Sequence, residues 1–223
     1  MYRLYFGNRN YSSWSLRPWL LMKHFAIEFE EREVEVRGQG PNERHRAYSA
    51  NGLVPCLHVD GFQVWDTLAI AEFLAERHAG LWPDDPIARA RARSISAEMH
   101  SGFFALRGAM PMNIKLRLRG TVPDPEVAAD IARIVDLWAD AQSQFGNAAA
   151  PWLFGSFSIA DAMFAPVVWR FNTYNVALPD AARAYRDAML DHRAMREWEA
   201  AALAERAALP AYDGLADAFG GPR

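Results

Sequence analysis

The chain has 223 residues, 51% of them hydrophobic, and 24 basic against 27 acidic side chains give a formal net charge of -3. That length supports one large domain or two small ones around a well-buried core, and so small a charge excess offers no basic face to nucleic acid or to an anionic membrane. No stretch approaches the roughly 20 apolar residues of a spanning helix, and the single cysteine, Cys56, excludes an intrachain disulfide or a cysteine-based metal cluster.

The opening residues Met1 to Gly7 lack the apolar run of a signal peptide, so a cytoplasmic, reducing setting is expected. Leu4-Tyr5-Phe6 reads as a short buried strand ended by Gly7. A helix is predicted from about Ser15, with Leu16, Trp19 and Leu20 on one face and Pro18 in its first turn. Val34 and Val36, alternating with Glu33 and Glu35, suggest a second strand. Asp60-Gly61 between Cys56–Val59 and Phe62–Trp65 signals a tight hairpin. Thr67 to about His78 is predicted helical, with Ile70, Phe73 and Leu74 facing inward. Strand, helix, strand, an unassigned stretch, hairpin and helix fit a thioredoxin-like domain over residues 1–79.

The Gly, Pro and Asp content of residues 80–86 marks a linker, and residues 87–223 read as an all-helical domain. Val127, Ile131, Ile134, Trp138, Ala141 and Phe145 recur at three- and four-residue spacing, one apolar helical stripe. Ser158-Ile159-Ala160-Asp161 resembles a capping box, with Asp in place of the usual Glu or Gln. His192 and the series Arg89, Arg91 and Arg93 read as solvated surface.

Chemistry concentrates where the first helix starts. Ser12 and Ser15 have the spacing of a redox Cys-x-x-Cys pair on this scaffold, but no thiol is present, so a sulfur must come from a ligand. A hydroxyl near a helix amino terminus can donate to a bound thiolate, and the helix dipole favours the negative charge. The plainer alternative is that Ser15 is an N-cap and Ser12 and Ser13 are turn residues. Pro55, before the third strand, stands where a thioredoxin-like domain carries a cis-proline, which leaves the backbone of Val54 free to pair with an extended peptide. Asp66-Thr67 sets an acid and a hydroxyl at another helix start, suiting an ammonium and a carboxylate respectively. Either feature alone reads as an ordinary cap. Together, a thiol site, a backbone-pairing site and an amino-acid site describe a γ-glutamyl tripeptide.

Ser12-Ser13-Trp14-Ser15-Leu16-Arg17 resembles the Ser-Ser-x-Ser-x-Arg motif of the serine-type glutathione S-transferases, a zeta- and theta-like bacterial group, and the similarity covers the whole chain. The resemblance implies glutathione as cosubstrate, a homodimer, and Ser12 as the thiol-activating hydroxyl with Ser13 as its rival. It further implies that Val54, beside Pro55, pairs with the cysteinyl backbone and that Asp66 and Thr67 hold the γ-glutamyl end. Leu53 stands where relatives often carry a polar residue, which makes Arg37, Arg44 and His45 candidates for the glycine carboxylate. Trp14 replaces the cysteine of the zeta class.

The second substrate, a small electrophile, is expected against Met99, His100, Phe103 and Phe104, where pliable apolar side chains suit varied shapes. His100 is a candidate general acid, although a lone helical histidine is more often structural. Three functions fit: conjugation of the thiolate to a hydrophobic electrophile, glutathione-dependent isomerisation of the maleylacetoacetate type, and a non-catalytic interaction module. Cys56 follows the proline and lies away from the helix start, which disfavours disulfide exchange.

Overall fold

The computed structural model describes residues 1–36, 38, 40–120 and 123–222. Four strands, β1 (Tyr2–Gly7), β2 (Phe29–Val34), β3 (Cys56–Val59) and β4 (Phe62–Trp65), form one sheet in the order β2-β1-β3-β4. β1 runs parallel to β2 and antiparallel to β3, and β3 and β4 form the hairpin. Asp60 and Gly61 both adopt positive φ at its tip, as a two-residue turn matched to the strand twist requires.

α1 (Ser13–His24) and α2 (Thr67–Ala75) pack on this sheet, which is the thioredoxin-like arrangement. A 3₁₀ turn over Glu43–Ala47 fills the connection that the sequence left unassigned. The all-helical remainder comprises α3 (Pro86–Ser101), α4 (Phe104–Ala109), α5 (Pro125–Phe145), α6 (Ile159–Thr173), α7 (Asp180–Asp191), α8 (Arg193–Ala204) and the single turn α9 (Pro210–Asp213). Among the described residues, no helix is long and apolar enough to cross a membrane.

α6 is the centre of the core: all but one of its residues are buried, and it packs against α1, α3 and α7. Its capping box forms as the spacing predicts, Asp161 accepting from the Ser158 amide at 2.9 Å. Tyr185 from α7 also donates to Asp161, at 3.1 Å. Burial nevertheless pushes the Asp161 carboxyl up to about 6, against the hydrogen bonds that favour its ionised form.

Four expectations need correction. α1 begins at Ser13, so Ser12 is the N-cap, and Pro18 lies inside the helix rather than in its first turn. β2 ends at Val34, leaving Val36 outside it, because parallel pairing with β1 sets its length. α2 stops at Ala75, three residues early. His192 is half-buried rather than solvated: it caps α8, and its ring stacks on Phe157 and lies 2.9 Å from His24 at the end of α1.

Candidate active site

The sheet register brings the three predicted sequence segments to one end. In the β1–β3 pair Tyr5 faces Cys56, and extending that register sets Val54 level with Gly7. In the hairpin Cys56 faces Trp65, which sets Asp66 and Thr67 level with Pro55 and Val54. The strand-to-helix turn at Ser12, the Val54-Pro55 step and the start of α2 therefore share one edge, with β1 and β3 as its centre.

Ser12 is built into place from below. The Ser15 hydroxyl, fully buried, accepts the Gly7 amide proton at 2.9 Å and lies 2.7 Å from the Ser12 hydroxyl. One proton lies between the two oxygens, and hydroxyl rotors are free to choose which supplies it. When Ser15 donates, the Ser12 proton is left to point outward. Gly7 has to be glycine for this contact, since a Cβ there would come within 2.5 Å of Val36 and 3.2 Å of the Ser12 side chain. Ser12 is half-buried, whereas Ser13 is buried in the first helical position. Ser12 makes no side-chain cap bond, so its hydroxyl does not satisfy the first-turn amides, which add their partial positive charge at this spot.

The Val54–Pro55 peptide bond is cis, as expected. No hydrogen bond to another described residue engages the Val54 amide or carbonyl. A half-buried backbone unit without partners is the feature an extended peptide would pair with.

Asp66 caps α2, its Oδ1 accepting from the Leu68 and Ala69 amides at 2.8 and 3.2 Å. It does so at φ 75°, ψ 137°, a left-handed setting uncommon outside glycine. Strained positions of this kind concentrate at ligand clamps. The Thr67 side chain is buried and donates to the Trp14 carbonyl at 3.0 Å, which ties α2 to the first turn of α1.

The remaining candidates scatter. His45 is buried, its ring within 3.3 Å of the Glu35 carbonyl, while Arg44 and Leu53 are exposed. Arg37 lies outside the described residues. Met99 and Phe103 are buried in the core, Phe104 is 77% exposed, and His100 reaches across to Asp66 and the Trp14 ring. Cys56 is buried, which raises its thiol pKa. No cluster of three or more potential metal ligands occurs among the described residues.

Several site-building residues escaped the sequence reading. Asn10 bonds Asn113 at 3.0 Å, and Tyr11 bonds Asp213 at 2.9 Å, so the loop before Ser12 is held by the helical half. These pairings span 100 residues or more and leave no local signal. The Trp14–Thr67 bond had one: a proline four residues after Trp14 leaves that carbonyl without its helical donor.

Residues 11–77 match the family model described as glutathione S-transferase, N-terminal domain, and residues 88–217 match the C-terminal domain. A probable maleylacetoacetate isomerase of Caenorhabditis elegans is 35% identical over 101 residues, 44% of this chain and 46% of that protein. The maleylacetoacetate isomerase of Pseudomonas aeruginosa is 29% identical over 209 residues, 87% of this chain and 94% of that one. Among solved structures, the theta-class glutathione S-transferase of Xanthomonas axonopodis pv. citri with glutathione bound superposes with a TM-score of 0.64. It is 23% identical and the match covers 91% of this chain and 98% of that one. With both halves matched in order and the sheet and helices laid out as described, the chain belongs to the glutathione S-transferase family.

Proposed function

We propose that this protein is a cytoplasmic, homodimeric glutathione transferase in which Ser12 activates the thiol of bound glutathione toward a small hydrophobic electrophile. The observation that carries the reading is the hydroxyl pair: Ser15 is anchored on the Gly7 amide and holds the Ser12 oxygen 2.7 Å away at the amino end of α1, where Ser12 can turn its proton to a sulfur once Ser15 supplies the shared one. Val54 offers an unengaged backbone unit level with that point, and Asp66 offers a carboxylate beside it. These fit a γ-glutamyl tripeptide along its length.

Ser12 would donate to the sulfur and so favour its ionised form. A charge-assisted hydrogen bond of about 1.5–3 kcal/mol corresponds to roughly one to two pKa units. Val54 and the start of α2 would fix the tripeptide so that the sulfur and the electrophile meet at high effective concentration. In conjugation the carbon–sulfur bond forms as the sulfur either displaces a leaving group, the thiol proton going to solvent, or adds across an activated double bond, whose far carbon takes up a proton.

A second reading, glutathione-dependent isomerisation, is favoured by the isomerase relatives, of which the Pseudomonas aeruginosa protein aligns over 94% of its length. There the thiol adds and departs unchanged, using the same residues. Turnover of an electrophile panel that includes maleylacetoacetate, with free thiol followed alongside, separates the two. Loss of thiol in step with product supports conjugation, and turnover at constant thiol supports isomerisation. Turnover of no electrophile in the presence of glutathione would overturn both.

A further inference from the structure

We propose that His100, reaching from the helical half, is a proton switch beside Asp66: once protonated, it competes with the ammonium end of glutathione for that carboxylate. The proposal rests on the assignment of Asp66 to glutathione's amino-acid end and adds a pH-dependent gate to it.

The two oxygens of Asp66 have different tasks. Oδ1 serves the Leu68 and Ala69 amides, which fixes the carboxylate at its inner edge. Oδ2 lies 3.2 Å from His100 Nε2, and His100 sits in the last turn of α3. The two atoms stand at ion-pair distance without the alignment of a hydrogen bond; because a carboxylate can only accept, the neutral ring turns its protonated nitrogen, Nε2, toward it. The neutral ring then presents a bare lone pair at Nδ1, and that atom is buried with no hydrogen-bond partner among the described residues. A desolvated, unpaired acceptor is unfavourable, so the ring is held in this orientation by its other contacts. One is Asp66. The other is the Trp14 indole, edge-on at 5.3 Å and 76°. Trp14 is itself fixed by the Arg17 and Arg107 guanidinium groups, 4.5 and 4.9 Å from its ring centre. His100 thus joins the ammonium clamp on α2 to the first turn of α1 and to the helical half.

The charged groups facing His100 are Asp66 from the start of α2, Arg17 from α1 and Arg107 from α4. Burial chiefly lowers the imidazole pKa; Asp66 opposes this, and the two arginines add to it. At neutral pH the ring is therefore uncharged and leaves the Asp66 carboxylate free to meet an ammonium. In acid it becomes a cation paired with Asp66, and the glutathione ammonium meets a carboxylate already compensated.

The test is calorimetric titration with glutathione between pH 5 and 8 on native protein, His100→Ala and His100→Gln. Native affinity should fall on acidification. His100→Ala should keep the neutral affinity and lose the acid fall. His100→Gln, which also cannot take up a proton, should do the same. A packing role alone would weaken both variants alike and leave the pH slope in place, and that result would overturn the proposal. So would native binding that both variants reproduce at every pH. If native protein fails to bind glutathione at any pH, the assignment of Asp66 falls and this proposal with it.

Discussion

The Thr67 hydroxyl donates to the Trp14 carbonyl at 3.0 Å because Pro18, four residues on, has no amide proton to offer it. One tether thus repairs a gap in the α1 hydrogen-bond ladder and fixes the start of α2 against it. Thr67→Val, nearly the same shape, should leave a desolvated carbonyl unpaired at a cost of about 1–3 kcal/mol. Thr67→Ser should retain most of the stability. Urea denaturation of the three proteins measures this, and a Val variant as stable as the parent would mean that the tether contributes nothing.

Gly7 positions Ser12 by close approach. In Gly7→Ala the new methyl meets Val36 at 2.5 Å and Ser12 at 3.2 Å, so one of them must shift. Strain of about 1–3 kcal/mol is expected, together with a loss of turnover. Val36→Ala, in the same molecule, should recover much of both. Steady-state rates for the two single variants and the double variant give the coupling directly, and additive losses would contradict the contact.

Arg17 is fully buried and donates from Nε to the Met163 carbonyl at 2.9 Å, while neither Nη atom has a hydrogen-bond partner among the described residues. Burial pulls its pKa well below the ordinary arginine range, and repulsion from Arg107 and Arg170 adds to the effect. One hydrogen bond and a cation–π contact with Trp14 offset about 3 kcal/mol, less than the several kcal/mol of burying an unpaired cation. Arg17→Met should therefore raise the thermal midpoint or leave it unchanged. A drop of many degrees would show that the charge is compensated.

His24 and His192 meet at 2.9 Å where α1 abuts the α7–α8 junction. His192 Nδ1 accepts the Ala194 amide, so its Nε2 carries the proton and His24 Nδ1 accepts it. Burial, with the nearby His192, lowers the His24 pKa to about 4. An unfolded histidine binds a proton near 6.5, so between these values the unfolded state holds more protons and stability falls with falling pH. Asp161, pushed up to about 6, acts in the opposite sense over much of the same range. The contribution of His24 is therefore read as a difference: His24→Gln should lose less stability than the parent between pH 6.5 and 4. Parallel pH curves would contradict the assignment.

The hairpin, the α5 stripe and the α6 capping box were legible because each depends on residues within a turn or two of one another. Ser12, Val54 and Asp66 could be singled out because cap and turn chemistry is also local. What joins them is not. The register that levels Val54 with Gly7 comes from long-range pairing, and the half-buried place of His192 comes from packing against α1. Ser15 shows the same limit: its spacing from Ser12 was visible, but a cap at Ser12 turns Ser15 inward to bond Gly7.

Titration of the ultraviolet thiolate band of the glutathione complex, in the parent and in Ser12→Ala, Ser13→Ala and Ser15→Ala, tests the central claim most directly. If Ser12 donates to the sulfur, Ser12→Ala should raise the bound thiol pKa by roughly one to two units while binding stays nearly intact. Ser15→Ala, which removes the anchored partner of Ser12, should shift it in the same direction by less, and Ser13→Ala should overlay the parent. A Ser12→Ala titration that coincides with the parent would contradict the account, and a shift in Ser13→Ala alone would transfer the role to Ser13.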